Sequence, residues 1–115
     1  MSDNYLSSAN FDIFVEQDGL SIIVFTASWC APCKDLKKVL AELQKEFTYL
    51  QLAYVDIEQE PELVASFEVK SVPFVMVVRD AVVLFADSGS QTLQTMRELV
   101  LQAMRLDMNE VRDQG

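Results

Sequence analysis

The chain has 115 residues, 50% of them hydrophobic, with 18 acidic against 9 basic side chains and a formal net charge of -9. That length fits one domain with a modest core and leaves no room for a second, and the apolar content excludes a disordered chain. The acidic excess repels phosphate backbones and anionic lipid, so neither nucleic acid nor a membrane surface is an expected partner.

The start, Met1-Ser2-Asp3-Asn4-Tyr5, carries no basic segment followed by an apolar run, and so does not read as a secretory signal. Apolar stretches such as 72–78 and 81–86 are far too short to cross a bilayer, and a cytoplasmic protein is expected. In chain order, residues 8–17 place Phe11, Phe14 and Val15 at helical spacing, and Asp18-Gly19 ends the run. Residues 21–27 form a β-branched and aromatic stretch that suits a strand covered on both faces. Beyond Cys33, Leu36, Val39, Leu40, Leu43 and Phe47 repeat at i, i+3, i+4, i+7, with Lys34, Lys37, Lys38, Glu42 and Lys45 opposite.

Residues 50–57 read as a second strand, and Pro61 suits the first position of a short helix reaching Phe67. Residues 74–78 and 82–85 are two strands joined through Arg79-Asp80-Ala81 as a hairpin. Gly89 breaks the chain, and Thr92 caps a last helix with Leu93, Met96, Val100 and Met104 on one side. Residues 105–115 extend past it as a helical extension or tail; Met108 and Val111 continue its apolar side, which suits docking on the domain or on a partner, while a frayed, solvated terminus is the expected state. Alternation first and a hairpin last imply an α/β protein with a central mixed sheet flanked by helices on both faces.

The chemistry concentrates in Trp29-Cys30-Ala31-Pro32-Cys33-Lys34, between a buried strand and an amphipathic helix. A cysteine at a helix start faces unpaired N–H groups and the positive end of the macrodipole, which favour thiolate over thiol. The two-residue spacing lets the second sulfur resolve a mixed disulfide within the molecule, and Pro32 restricts the loop. Lys34 adds a positive charge nearby, unless it merely extends into water. With no histidine in the chain, a Cys/His zinc site, a Ser-His-Asp triad and a Cys-His pair are all excluded. A zinc site completed by carboxylates and a pair of inert thiols remain the alternatives to redox exchange, and no metal site is expected.

At these residues the chain resembles the thioredoxin family, whose motif is Trp-Cys-Gly-Pro-Cys-Lys; Ala31 is the one departure within that stretch. Val72-Pro73 and Gly89 match two further landmarks, and the likeness spans about 7–104. The resemblance implies the thioredoxin fold, a cis bond before Pro73, and a protein-disulfide reductase. It implies Cys30 as the exposed attacking thiolate and Cys33 as the buried resolving thiol. Trp29, Ala31, Pro32, Val72, Pro73 and Gly89 would line the substrate groove. It further implies protein disulfides as substrates, a thioredoxin reductase as electron donor, a monomer, and no bound cofactor, since both electrons reside on the two sulfurs.

The departures bear on mechanism. Val24 stands where the family carries a buried aspartate, and Tyr54 where it carries the neighbouring lysine. Losing both together avoids an uncompensated buried charge. Val24 cannot accept a proton from Cys33, so it modulates the dithiol, as Lys34 does. Lys38 replaces a helix-kinking proline, and Ser71 replaces a glycine beside the groove. With Asp87 and Glu58 expected close by, a polar rim and a basic substrate are implied. The rival reading is a binding or chaperone-like module on the same fold, its dithiol vestigial or regulatory.

Overall fold

A computed structural model describes residues 4–114; residues 1–3, part of the start that reads as no signal, and Gly115, at the end of the tail, lie outside the described residues. The elements run α1 (Phe11–Val15), β1 (Leu20–Thr26), α2 (Ala31–Glu46), β2 (Gln51–Asp56), α3 (Pro61–Ser66), β3 (Phe74–Arg79), β4 (Val82–Ser88), α4 (Leu93–Arg105) and α5 (Met108–Gln114). The sheet order is β2-β1-β3-β4. β1 pairs in parallel with β2 and antiparallel with β3, which pairs antiparallel with β4, so the sheet is mixed as expected.

β1 is central and all seven of its residues are buried, which explains its largely apolar sequence. Alternate residues feed two cores. Leu20, Ile22 and Val24 meet Leu36, Leu40 and Leu43 of α2 and Met96 and Val100 of α4 on one face. Ile23 and Phe25 meet Phe11, Phe14 and Leu63 on the other. The helices thus cover both faces. Arg97 of α4 clasps Glu46 of α2, its Nε donating to both carboxylate oxygens at 2.8 and 2.9 Å.

Several boundaries differ from the sequence reading. α1 is five residues long rather than spanning 8–17, because Asn10 Oδ1 accepts the Ser7 N–H at 2.7 Å and holds residues 7–10 in a turn. Phe47 ends α2 at non-helical φ −116°, ψ 85°. α2 otherwise runs unbroken past Lys38. Met104 is 38% exposed, and Ala103 takes the buried position on α4. The hairpin loop is Asp80-Ala81, with φ of 51° and 68°, the backbone a two-residue turn needs to match strand twist. Thr92 caps α4 as predicted, its Oγ1 accepting the Thr95 N–H at 3.1 Å.

Of the two states expected for the C-terminal segment, a docked helical extension and a solvated terminus, the structure has the first. The segment forms α5, with Met108 buried and Arg112 Nη2 donating to the Asp80 carbonyl at 3.2 Å. At the other end, Tyr5 bridges Tyr54 in parallel, the Tyr54 N–H donating to Asn4 O and the Leu6 N–H to Tyr54 O, each at 2.8 Å. This adds a short ribbon of backbone to the β2 edge. Among the described residues no helix is long and apolar enough to cross a membrane.

Candidate functional site

The site forms where β1 hands over to α2. Thr26 ends the strand, the chain turns through Ala27–Trp29, and Cys30 is the N-cap of α2 with extended φ −89°, ψ 104°. The Cys30 N–H donates to Ala27 O at 3.2 Å, and Cys30 Sγ accepts the Cys33 N–H at 3.2 Å. The sulfur therefore does the work of a capping oxygen, and any negative charge it acquires meets the helix N-terminus. Pro32 sits in the first turn, where its missing N–H costs no helical bond.

Cys30 and Cys33 are joined as a disulfide, their Cα atoms 5.3 Å apart. Both pack with Ala27, and Ile57 and Val72 close over them. In this disulfide form Cys30 is 3% exposed and Cys33 2%. The Cys30 side chain packs with Ala27 and Cys33 against Ile57 and Val72.

The groove residues converge from three loops. Trp29 is 66% exposed, which removes the option of a core aromatic. Ala31 and Pro32 are exposed at the helix start, Val72 is half-buried and Pro73 is buried. The Val72–Pro73 bond is cis. The Gly89 N–H donates to Pro73 O at 2.8 Å, and Gly89 adopts φ 111°, a conformation that side chains disfavour. Ser90 Oγ reaches Pro32 O at 3.5 Å, linking that loop to the dithiol. Of the two acidic residues expected nearby, Glu58 receives the Ser28 hydroxyl at 3.5 Å, whereas Asp87 turns to the Ser88 N–H at 2.8 Å.

The chain belongs to the thioredoxin family. The Thioredoxin family model matches residues 3–102. A thioredoxin-family protein of Streptomyces coelicolor is 36% identical over 107 residues, covering 93% of this chain and 80% of that protein. The thioredoxin of Staphylococcus saprophyticus is 30% identical over 96 residues, or 83% of this chain and 91% of its own. Among solved structures, Plasmodium falciparum thioredoxin superposes with a TM-score of 0.76 at 25% identity, over 86% of this chain and 97% of that one. Oxidised mitochondrial thioredoxin 3 of Saccharomyces cerevisiae gives 0.79 at 20% identity, over 87% and 94%, and shares the fold.

This thioredoxin-family protein is a thiol–disulfide oxidoreductase, a disulfide reductase acting on protein disulfides. Among the described residues no group of three or more His, Cys, Asp or Glu could hold a metal ion.

Val24 does not touch the groove. It lies in the core below α2, paired across the sheet with Tyr54 and Val75. Lys34 is exposed and lines a cavity of about 110 Å³ together with Tyr5, Thr26, Ala27, Ser28, Lys37 and Asp56. Sequence reasoning missed this cavity. Lys37 had looked like a solvated helix face, yet its Nζ donates to the Tyr5 hydroxyl at 2.7 Å and lies 5.1 and 4.8 Å from the Tyr5 and Tyr54 ring centroids. The available signal was the polar pair Thr26 and Asp56 at the C-terminal ends of two neighbouring, mostly apolar strands.

Proposed function

We propose that this protein reduces disulfides of cytoplasmic proteins by two successive exchanges at Cys30 and Cys33. In the reduced form Cys30, free of its bond to Cys33, attacks one substrate sulfur; the substrate S–S bond breaks and one thiolate leaves. Cys33 then attacks Cys30 Sγ, the mixed disulfide breaks, and the second substrate thiolate departs. Two electrons pass to the substrate, its sulfurs take two protons, and the protein is left with the Cys30–Cys33 bond.

The observation that carries this reading is Cys30 Sγ capping α2 while bonded to Cys33, so that attacker and resolver share one helix turn. Trp29, Ala31, Pro32, Val72, Pro73 and Gly89 form the docking rim in this reading. Lys34 adds positive potential, and Val24 leaves the space below the dithiol without a carboxylate. The dithiol is the whole redox cofactor. A flavin-dependent thioredoxin reductase returns the electrons, which places the protein in electron transport and cell redox homeostasis. Residues 1–115 act as one unit and as a monomer.

Replacing Cys33 by Ser and challenging cells with oxidant tests the assignment. Mixed disulfides should accumulate on Cys30, and turnover with reductase, NADPH and a protein disulfide should stop. Continued turnover of that variant would show that Cys33 is not the resolving thiol, and a failure to trap mixed disulfides on Cys30 would deny it the attacking role. Absence of turnover in the unaltered protein would favour the binding-module alternative.

A further inference from the structure

We propose that Asp56 accepts, through water in the cavity beside the dithiol, the proton that Cys33 releases on resolving a mixed disulfide. The proposal rests on the reading of Cys33 as the resolving thiol. It begins from a chemical requirement: a thiol must become a thiolate before it attacks. The chain has no histidine, and the side chain of Val24 cannot take a proton.

Strand register places Asp56. Val24 pairs with Tyr54 and Thr26 with Asp56 across β1 and β2, and residues two apart share a face. Val24 and Tyr54 pack beneath Leu36 and Leu40 of α2. One step along the same face, Thr26 and Asp56 lie opposite the preceding turn of α2. On that helix Cys33, Leu36 and Lys37 share a side by their i, i+3, i+4 spacing. The Lys37 ammonium, 4.8 Å from the Tyr54 ring centroid, holds this turn over β2.

Asp56 lines the 110 Å³ cavity, which is large enough for several waters, carries the polar partners that water needs, and approaches the dithiol through Ala27. Its Ala27 wall packs directly against Cys30 and Cys33, and Lys34 adjoins Cys33. Asp56 is half-buried, and its Oδ1 accepts the Glu58 N–H at 2.9 Å. A carboxylate has capacity beyond one such bond. The charged and titratable groups facing the cavity are Lys34 and Lys37 from α2, Tyr5 from the N-terminal ribbon and Asp56 from β2. Glu58 follows at the rim, where it receives the Ser28 hydroxyl. The two ammonium groups supply positive potential to each anion in turn, Asp56 before the transfer and Cys33 after it.

In the step itself the Cys33 S–H bond breaks and its proton passes through water to Asp56. The electron pair left on sulfur forms the bond to Cys30. The bond between Cys30 and the substrate sulfur breaks, and that sulfur leaves as a thiolate, to be protonated by Asp56 or solvent.

Reduced protein mixed with one equivalent of dithiobis(nitrobenzoic acid) releases coloured thiolate twice, first on attack by Cys30 and then on resolution by Cys33. Asp56→Asn keeps an oxygen for the Glu58 N–H. It should slow the second release relative to the first by about tenfold at pH 7. It should also steepen the pH dependence of that release toward tenfold per pH unit below the thiol titration, and Asp56→Glu should restore both. An unchanged ratio and profile, or equal slowing of both releases, overturns the proposal. Cys33→Ser serves as the reference: if it still gives the second release, the assignment of Cys33 fails rather than that of Asp56.

Discussion

Val24 and Tyr54 stand side by side on the parallel β1–β2 pair, 1% and 4% exposed, where the family resemblance leads one to expect an aspartate and a lysine. The exchange is self-consistent, because an apolar residue and an aromatic ring fill the space without stranding a charge. A cation is still present, but it comes from α2: Lys37 lies over the Tyr54 ring rather than inside the core. Val24→Asp should therefore cost stability, about 2–4 kcal/mol at pH 7, read by urea unfolding. Burial raises the folded-state pKa of such a carboxyl above its unfolded value. The loss is smallest below the unfolded pKa, where both states are protonated. It grows as pH rises toward the folded pKa, because over that interval the unfolded state has released the proton. The same variant should speed resolution by Cys33 at neutral pH; an unchanged rate would mean that Val24 does not limit this step.

Much of the fold was legible because local pattern and tertiary role agreed. The apolar run of β1 implied burial on both faces, and the i, i+3, i+4 stripe of α2 found its sheet. What escaped the sequence depends on partners distant along the chain. Tyr5 carries no period of its own, and it pairs with β2 only because Asn4 and Leu6 can exchange backbone bonds with Tyr54. Lys37 has the spacing of a solvent-facing lysine, and only the fold brings two tyrosine rings beneath it. Cys30 is buried and bonded to Cys33, and no residue pattern encodes an oxidation state.

The β3–β4 turn offers a direct test of backbone strain. Ala81 adopts φ 68°, a left-handed conformation in which a Cβ crowds the backbone. Ala81→Gly should stabilise the fold by about 0.5–1 kcal/mol, since relief of that crowding exceeds the added freedom of the unfolded chain. The midpoint of urea unfolding should rise with its slope unchanged. A lower midpoint would show that the turn tolerates alanine without strain.

Arg79 governs the C-terminal end. Its Nη1 donates to the carbonyls of Ala103, Met104 and Leu106 at 2.8, 3.3 and 2.9 Å, gathering the last turn of α4 where the chain bends into α5. These carbonyls have no partner within the helix, and a charged donor is a strong one. Arg79→Ala should cost about 1–3 kcal/mol. It should also speed amide exchange at Val111, whose N–H donates to Asp107 O at 3.1 Å in α5. Loss of stability without faster exchange in α5 would limit the role of Arg79 to α4.

Trp29 separates docking from folding. At 66% exposure it contributes little to the core, so Trp29→Ala should leave the unfolding free energy within about 0.5 kcal/mol. A large aromatic beside the dithiol is instead placed to cover a bound segment, and truncating such an anchor at an interface weakens binding by roughly 1–2 kcal/mol. The variant should therefore lose about tenfold in kcat/KM toward a protein disulfide. Its rate with dithiobis(nitrobenzoic acid), which has no peptide segment to dock, should change far less. Equal losses with both substrates would place Trp29 in the chemistry of Cys30 rather than in substrate docking.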